Sequence, residues 1–369
     1  MFIELHLIQN FAPSNLNRDD TNNPKDCIFG GTRRARISSQ CLKRAIRSAP
    51  VFSATTAVPN AARTRFISRK IKAALVDAGW DEEKAGDYAV AFARAYSSKK
   101  ETMDKDDPTR TMVMLYLSDS EIRYVVDAFL NDPAPQKEVV KRVVGELAKM
   151  TKGRTSAPDI ALFGRMLADR PETNIDAACQ VAHAISTHKA SMEIDFFTAV
   201  DDLQAEEESG GAMMGTTGFN SATFYRYARM DWKQLVRNLD NDVELARCTV
   251  EAFLRASVEA VPTGKQNTFA AHNPPSFILA VVRDGSQGWS LANAFEQPVT
   301  ARGEAGIVAR SVEALDAYWE RLTRVYGSQG VRAFALPVDP GLKLTALNDQ
   351  QVGTLDELTA AVLAALPQE

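Results

Sequence analysis

Three carboxylates, Asp19, Asp20 and Asp26, lie just upstream of the run FGGTRRARISSQCLKRAIR, Phe29 to Arg47. Carboxylates beside phosphate-binding groups can hold Mg²⁺ for phosphodiester hydrolysis. They can also make local turn hydrogen bonds or pair with Arg18 and the nearby arginines, and this second reading is the favoured one. The run itself has the chemistry of a phosphate grip. Gly30 and Gly31 let backbone amides come close to an anion. Arg33, Arg34 and Arg36 offer guanidinium forks that match phosphate oxygens. Ser38 or Ser39 caps a helix whose first turn adds further amides. Lys43 and Arg47 are four apart on that helix, flanked by Gln40 and Arg44, with Leu42, Ala45 and Ile46 forming the inward stripe. From Cys27 to Val76 no Asp or Glu occurs in fifty residues, against eleven Lys and Arg. The whole chain is net −4, so without those eleven charges it would stand at −15. One basic block on an acidic molecule is an electrostatic footprint for a polyanion.

Other chemistry is poorly represented. His6, His183, His188 and His272 form no HExxH or triad-like set, and His183, in an apolar segment, reads as a core histidine. Neither a GxxxxGK[ST] nor a GxGxxG fingerprint is present, which argues against nucleoside-triphosphate and dinucleotide enzymes. Cys27, Cys41, Cys179 and Cys248 are scattered without a CxxC pair, which suits a reducing cytosol and neither a disulfide framework nor a zinc ribbon. The first strand offers Phe2 but no aromatic pattern for stacking bases, so RNA binding would grip the backbone without reading sequence. A second basic cluster, Lys137, Lys141, Arg142, Lys149 and Lys152, recurs at helical spacing and is a candidate contact for a second nucleic-acid strand.

The elements that must position these groups follow from periodicity. Phe2 to Gln9 reads as a strand with Ile3, Leu5 and Leu7 on one face and Glu4 and His6 on the other, and not as a signal peptide. A polar loop over Asn10 to Gly31 leads to the basic helix. Helices are expected at Arg65–Ala78, Glu82–Tyr96, Asp119–Leu130 and Gln136–Met150, then strands at Asp159–Arg165 and Ala177–Thr187. Acidic then Gly-rich residues from Asp201 to Gly218, between Phe196-Phe197 and Phe224, Tyr225 and Tyr227, suggest a long hairpin with a mobile tip. Helices at Val243–Val261, Ile307–Tyr326 and Leu355–Leu366 and a strand at Phe277–Arg283 complete the pattern. Without the helical insertion the order fits a βαββαβ, ferredoxin-like plan, hence an α+β fold. With 45% hydrophobic and 24% charged residues over 369 positions, the chain is composed like a soluble globular protein of two or three structural units.

Several long strings resemble one family. LNRDD (Leu16–Asp20), KDCIFGGTRRARISSQCLKRAIR (Lys25–Arg47), AHAISTH (Ala182–His188), DFFTAVDDLQ (Asp195–Gln204), FYRYA (Phe224–Ala228), GKQNTFAAHNP (Gly264–Pro274) and LANAFE (Leu291–Glu296) are similar, in the same order, to the CasC family. CasC is the CRISPR-RNA-binding backbone subunit of the type I-E surveillance complex, Cascade. The resemblance implies a hand-like protomer. Its modified RRM-like palm would take residues 1–50, 155–194 and 228–369, its helical fingers 51–154 and its thumb hairpin 195–227. It implies RNA-backbone contacts at Arg18, Lys25, Ser38, Gln40, Lys43, Arg44, Arg47 and Lys265. Met166 and Phe197 would flank a displaced base, and Lys137, Lys141 and Arg142 of the fingers would meet target DNA. Thr32 stands where a basic residue is common, which removes one contact. The implied partners are CRISPR RNA, target DNA, neighbouring copies, and the large, small, 5′-handle-capping and RNA-processing subunits, in the cytoplasm and without a membrane. No catalytic group, cofactor or metal is implied. The alternative is a metal-dependent endoribonuclease of the related type III backbone kind, using an Asp of the loop after the first strand.

Overall fold

The computed structural model describes residues 1–98, 103–132, 134–199, 213–285, 287–303 and 305–368. Its strands are β1 (Phe2–Ser14), β2 (Asp26–Phe29), β3 (Thr32–Ile37), β4 (Ala62–Thr64), β5 (Leu115–Leu117), β6 (Cys179–Val181), β7 (Ala184–Ser186), β8 (Glu193–Ala199), β9 (Met213–Asp231), β10 (Phe277–Arg283) and β11 (Val331–Pro337). Contacts divide the chain into two compact units. The first contains Met1–Ala49, Val181–Arg229 and Phe253–Pro367, and the second Pro50–Gln180 with Met230–Ala252.

The first unit is built on a sheet of order β11-β10-β1-β9-β7-β3-β2, with β8 added as the hairpin partner of β9. The β1–β10, β10–β11, β2–β3, β3–β7, β7–β9 and β8–β9 pairings are antiparallel. With its helices this makes an α+β fold, as the pattern indicated. β10 is buried along its whole length, as a continuous apolar run requires. Its Phe277, Leu279 and Val281 pack with Val312, Leu315 and Trp319 of the helix Ile307–Tyr326. A second cluster joins Phe11, Ala35, Ile37, Leu42, Ala184 and Phe224 under the basic helix, Ser39–Ser48.

β1 departs from simple alternation. Glu4 and His6, expected on a polar face, are fully buried. Glu4 Oε1 accepts from Arg283 Nε and from the Trp289 amide, both at 3.2 Å. His6 Nδ1 lies 2.8 Å from the Tyr225 hydroxyl. Consecutive residues from Ile3 to Gln9 are buried, so both faces of β1 are covered here and its polar residues must find partners inside. β1 also runs to Ser14, which shortens the loop expected at Asn10–Gly31, and β11 was not anticipated.

The second unit is mainly helical. Ile67, Ile71, Leu75, Ala89, Phe92, Val125, Phe129, Val143 and Leu147 form its core. Local signals are clear: Asp81 accepts from the Glu83 and Lys84 amides, and Ser118 with Glu121 forms a reciprocal capping box. This unit takes in more than residues 51–154, adding 155–180 and 230–252. The strand expected at Asp159–Arg165 is instead a short helix, Pro158–Phe163. Its apolar run is buried all round, so period could not separate strand from helix, and Pro158 at the first position favours the helix. β8 and β9 form the expected hairpin, whereas the tip from Asp201 to Ala212, with Asp202 and the Glu206–Glu208 run, lies outside the described residues.

Candidate nucleic-acid interface

The basic run divides by burial into a framework and a surface. Phe29 and Thr32 pair across β2 and β3, leaving Gly30 and Gly31 as a two-residue turn. Their φ values of 56° and 71° are the positive pair that a type I′ turn needs. A Cβ on Gly30 would run into the Glu296 carbonyl, whereas Gly31 faces open space. The glycines are therefore explained by the hairpin turn and a close backbone approach, and not by an anion cradle. Arg34 corrects the sequence reading outright. It is fully buried, its Nη1 donating to the carbonyls of Ser186 and Thr187 at 3.0 and 2.9 Å. Its Nη2 donates to those of Phe295 and Glu296 at 2.8 and 3.1 Å. Burial pulls the guanidinium below its ordinary value. Arg34 is an internal clamp.

The two arginines that flank Arg34 in β3 are less buried, Arg33 exposed and Arg36 half-buried. Arg33 is exposed and pairs with Asp26 at 2.9 Å. Arg36 Nε donates to the Asp26 carbonyl at 3.2 Å, and its Nη1 lies 3.2 Å from His183 Nδ1. Ser38 caps the basic helix, its hydroxyl accepting from the Cys41 amide at 3.3 Å. The Ser38 amide donates to Asn17 Oδ1 at 2.8 Å and the Ser39 amide to His183 Nδ1 at 3.2 Å. Protein acceptors thus occupy amides that were expected to meet phosphate. Leu42 and Ile46 are buried, Lys43 and Arg47 half-buried, and Gln40 and Arg44 exposed.

A loop holds two more cations beside this helix. The Lys25 amide donates to the Asn17 carbonyl and the Lys25 carbonyl accepts from the Arg36 amide, both at 2.9 Å. Lys25 is half-buried, and exposed Arg18 donates to Asn22 Oδ1 at 2.8 Å. Asn15 ties the same loop to the hairpin base, its Nδ2 donating to the carbonyls of Gly218 at 2.8 Å and Asn22 at 3.1 Å. Gly264 packs so tightly on Leu16 that a Cβ would collide with its carbonyl, which places the next residue, Lys265, at this loop. Lys265 adopts φ 50°, a strained conformation for a side-chain-bearing residue.

Phe197 on β8 lies across Gly215 of β9 and is 43% exposed, less than Ile194 and Phe196 of the same strand. Arg18, Lys25, Ser38, Gln40, Lys43, Arg44, Arg47, Phe197 and Lys265 all belong to the first unit, whereas Met166 belongs to the second. Met166 is 84% exposed between buried Arg165 and Leu167. Arg165 donates to Glu121 at 2.6 Å and to the Thr173 carbonyl at 2.9 Å, which turns Met166 outward. Lys137 and Lys141 are exposed on the helix Gln136–Met150, opposite buried Val139, Val140, Val143 and Val144. Arg142 is engaged by Asp132 and lies 4.0 Å from Glu146.

The structure also reassigns much of the acid-free stretch. In its second half Arg65, Arg69, Lys70 and Lys72 pair with Asp104, Asp107, Asp119 and Glu82, acids that all lie beyond the stretch itself. Of the candidate carboxylates, Asp19 Oδ1 accepts from the amides of Thr21 and Asn23 and from the Thr21 hydroxyl, at 2.8–2.9 Å. The Thr21 and Asn23 bonds hold its carboxyl below the usual range. Asp26 is engaged by Arg33, and Asp20 is exposed. His183, expected in the core, is exposed beside Arg36 and the helix start. Its place was missed because β7 is short and His183 sits just before it.

Among curated protein sequences nothing matches the chain. A solved protein chain described as "CRISPR RNA-guided surveillance complex, pre-nicking" is 34% identical, with TM-score 0.86, over 99% of this chain and 100% of that one. Another, described as "CRISPR RNA-guided surveillance complex", is 28% identical with TM-score 0.64 over 99% of each. The family model described as "CT1975-like protein" matches residues 3–361. With a full-length family match and a full-length structural relative above 30% identity, this chain belongs to the CT1975-like family, which includes it among proteins similar to subunits of CRISPR surveillance complexes.

Proposed function

We propose that the chain is a non-catalytic backbone subunit of a CRISPR surveillance complex of the type I-E kind. Several copies form a helical filament along a CRISPR RNA, hold its phosphates without reading sequence, and leave its bases free to pair with target DNA in antiviral defence. The first unit serves as an RRM-like palm, the β8–β9 hairpin as a thumb and the helical unit as fingers. Lys25, Gln40, Lys43, Arg44, Arg47, Arg18 and Lys265 supply the backbone contacts, with Ser38 setting the helix that carries several of them. Phe197 and Met166 flank a displaced base, and Lys137 and Lys141 meet target DNA, with a smaller part for ion-paired Arg142. The observation that carries this reading is the likeness over the whole length of both chains to a surveillance-complex protein. The exposed and half-buried cations on the loop and helix of one unit give the likeness a physical basis.

Native mass spectrometry of the chain co-expressed with guide RNAs of unrelated sequence tests the proposal. The expected spectra show several protomers per RNA, with the same stoichiometry for every guide of equal length. The endoribonuclease alternative is tested by adding complementary target RNA and Mg²⁺. Regular cleavage that disappears in Asp20→Ala or Asp26→Ala would replace the non-catalytic reading.

A further inference from the structure

We propose that His183 is a further contact to the bound RNA backbone, acting as a neutral donor through its Nε2–H. This rests on the RNA-holding reading above and adds a residue that it does not include. The ring sits where the two donors described above, the Ser39 amide and Arg36 Nη1, both lie 3.2 Å from Nδ1. Neither group can accept a hydrogen bond, so Nδ1 must present its lone pair and the ring proton must reside on Nε2. The residue is exposed, and among the described residues Nε2 has no acceptor.

The surroundings keep the ring in this state. A proton on Nδ1 would face the Ser39 amide and the Arg36 guanidinium, and Lys25 adds positive charge from the adjoining loop. Asp26 brings little relief, since its carboxylate is taken by Arg33 and its carbonyl by Arg36 Nε. Desolvation, then Arg36 and Lys25, accordingly hold His183 below its ordinary value. What remains on the surface is a fixed N–H donor surrounded by other donors. A ligand seated there must bring acceptors and negative charge without needing to be a particular base, and a phosphodiester oxygen meets both conditions. His183 then differs in kind from Lys43 and Arg47: it adds a directional bond without releasing a counterion.

The two amide side chains separate this role from a structural one. In His183→Asn the side-chain oxygen can replace Nδ1 for the Ser39 amide, but nothing reaches the Nε2 position. In His183→Gln the amide nitrogen reaches the Nε2 position and the Nδ1 acceptor is lost. The full chain is titrated with a fluorescent oligouridylate over a range of salt and from pH 6.5 to 8.5. His183→Asn should weaken binding about tenfold to a hundredfold, the worth of one hydrogen bond to a charged group. His183→Gln should keep most of the affinity, and neither variant should alter the salt slope. In the unsubstituted chain, long-range ¹H–¹⁵N correlation of the imidazole should show the Nε2–H tautomer and a change at Nε2 when RNA is added. The inference falls if His183→Gln loses as much affinity as His183→Asn, or if the free ring carries its proton on Nδ1. It falls equally if His183→Asn flattens the salt slope by about 0.7, the mark of a cation on single-stranded nucleic acid. A parent chain that binds no RNA at any pH overturns the functional reading, and this contact with it.

Discussion

Replacing Arg34 with Met tests whether the arginine run is divided between framework and surface. The guanidinium donates to four carbonyls, those of Ser186, Thr187, Phe295 and Glu296, which lie 152 to 262 residues later in the chain. Hydrogen bonds to a charged donor are each worth about 1.5–3 kcal/mol, but the sum overstates the loss. Thr187 O keeps a second donor in the Val299 amide, and the variant no longer has to bury a charge. The net expectation is about 3–5 kcal/mol, because carbonyls left buried without this donor cost about 1–3 kcal/mol each. For a unit of this size each kcal/mol moves Tm by about 2–4 °C, so calorimetry should show a fall of roughly 6–20 °C. Arg33→Ala, which loses only an exposed pair with Asp26, should shift Tm by no more than about 4 °C. A salt titration of RNA binding at a temperature where both variants are folded completes the comparison. If Arg34→Met leaves Tm within about 2 °C of the parent and instead flattens the salt slope by about 0.7, Arg34 is a phosphate contact and the division is wrong.

Lys43→Ala combined with Arg47→Ala should flatten the salt slope by roughly 1.4 per protomer, equally for unrelated RNA sequences. An unchanged slope with a lowered Tm would assign both residues to packing. Gly30→Ala should lower Tm at least twice as much as Gly31→Ala, because both positions have positive φ but only Gly30 abuts the Glu296 carbonyl. Equal effects in calorimetry would show that the approach to Glu296 yields freely. Burial pushes the Glu4 carboxyl up, yet His6 and Arg283 together bring it below its ordinary value of 4.5. A group depressed on folding contributes stability above pH 4.5 that is lost as pH falls through its lowered value, so the parent should lose Tm below that pH more steeply than Glu4→Gln. Parallel curves would mean that Glu4 is not buried as an ion. Asp104, held down to about 2 chiefly by Arg110, should give the second unit the same sign of dependence below pH 4, absent in Asp104→Asn.

Much of this was legible where local physics decides the outcome. The helix Gln136–Met150 and the strand Phe277–Arg283 have the bounds that their apolar spacing predicts, and Ser38 caps the helix it was expected to cap. What escaped was whatever depends on a distant partner. Nothing around Arg34 announces that carbonyls at 186–187 and 295–296 will converge on it, so a run of charges in sequence looked like a run of charges on a surface. The pairing of Arg65 and Arg69 with Asp104 and Asp107 was hidden in the same way, since an acid-free stretch is silent about acids that fold back onto it. Glu4 and His6 obeyed strand alternation, but alternation assumes a wet face, and β1 is covered on both. His183 was misplaced in the opposite sense: an apolar neighbourhood in sequence became an exposed position just outside a three-residue strand.

The Arg34 clamp also sets a schedule for protein synthesis. Its carbonyl partners at Phe295 and Glu296 are encoded 261 and 262 residues later. At about 5–20 residues per second the ribosome takes roughly 13–50 s to supply them after Arg34 has been made. The first strand waits similarly, because β10, its neighbour, begins only at Phe277. The basic segment therefore emerges long before the framework that orients it exists. Until then its cations are tethered to an unfinished sheet. On the proposed reading, the geometry for holding RNA is thus acquired late, after the residues around Phe295 and Glu296 have been made.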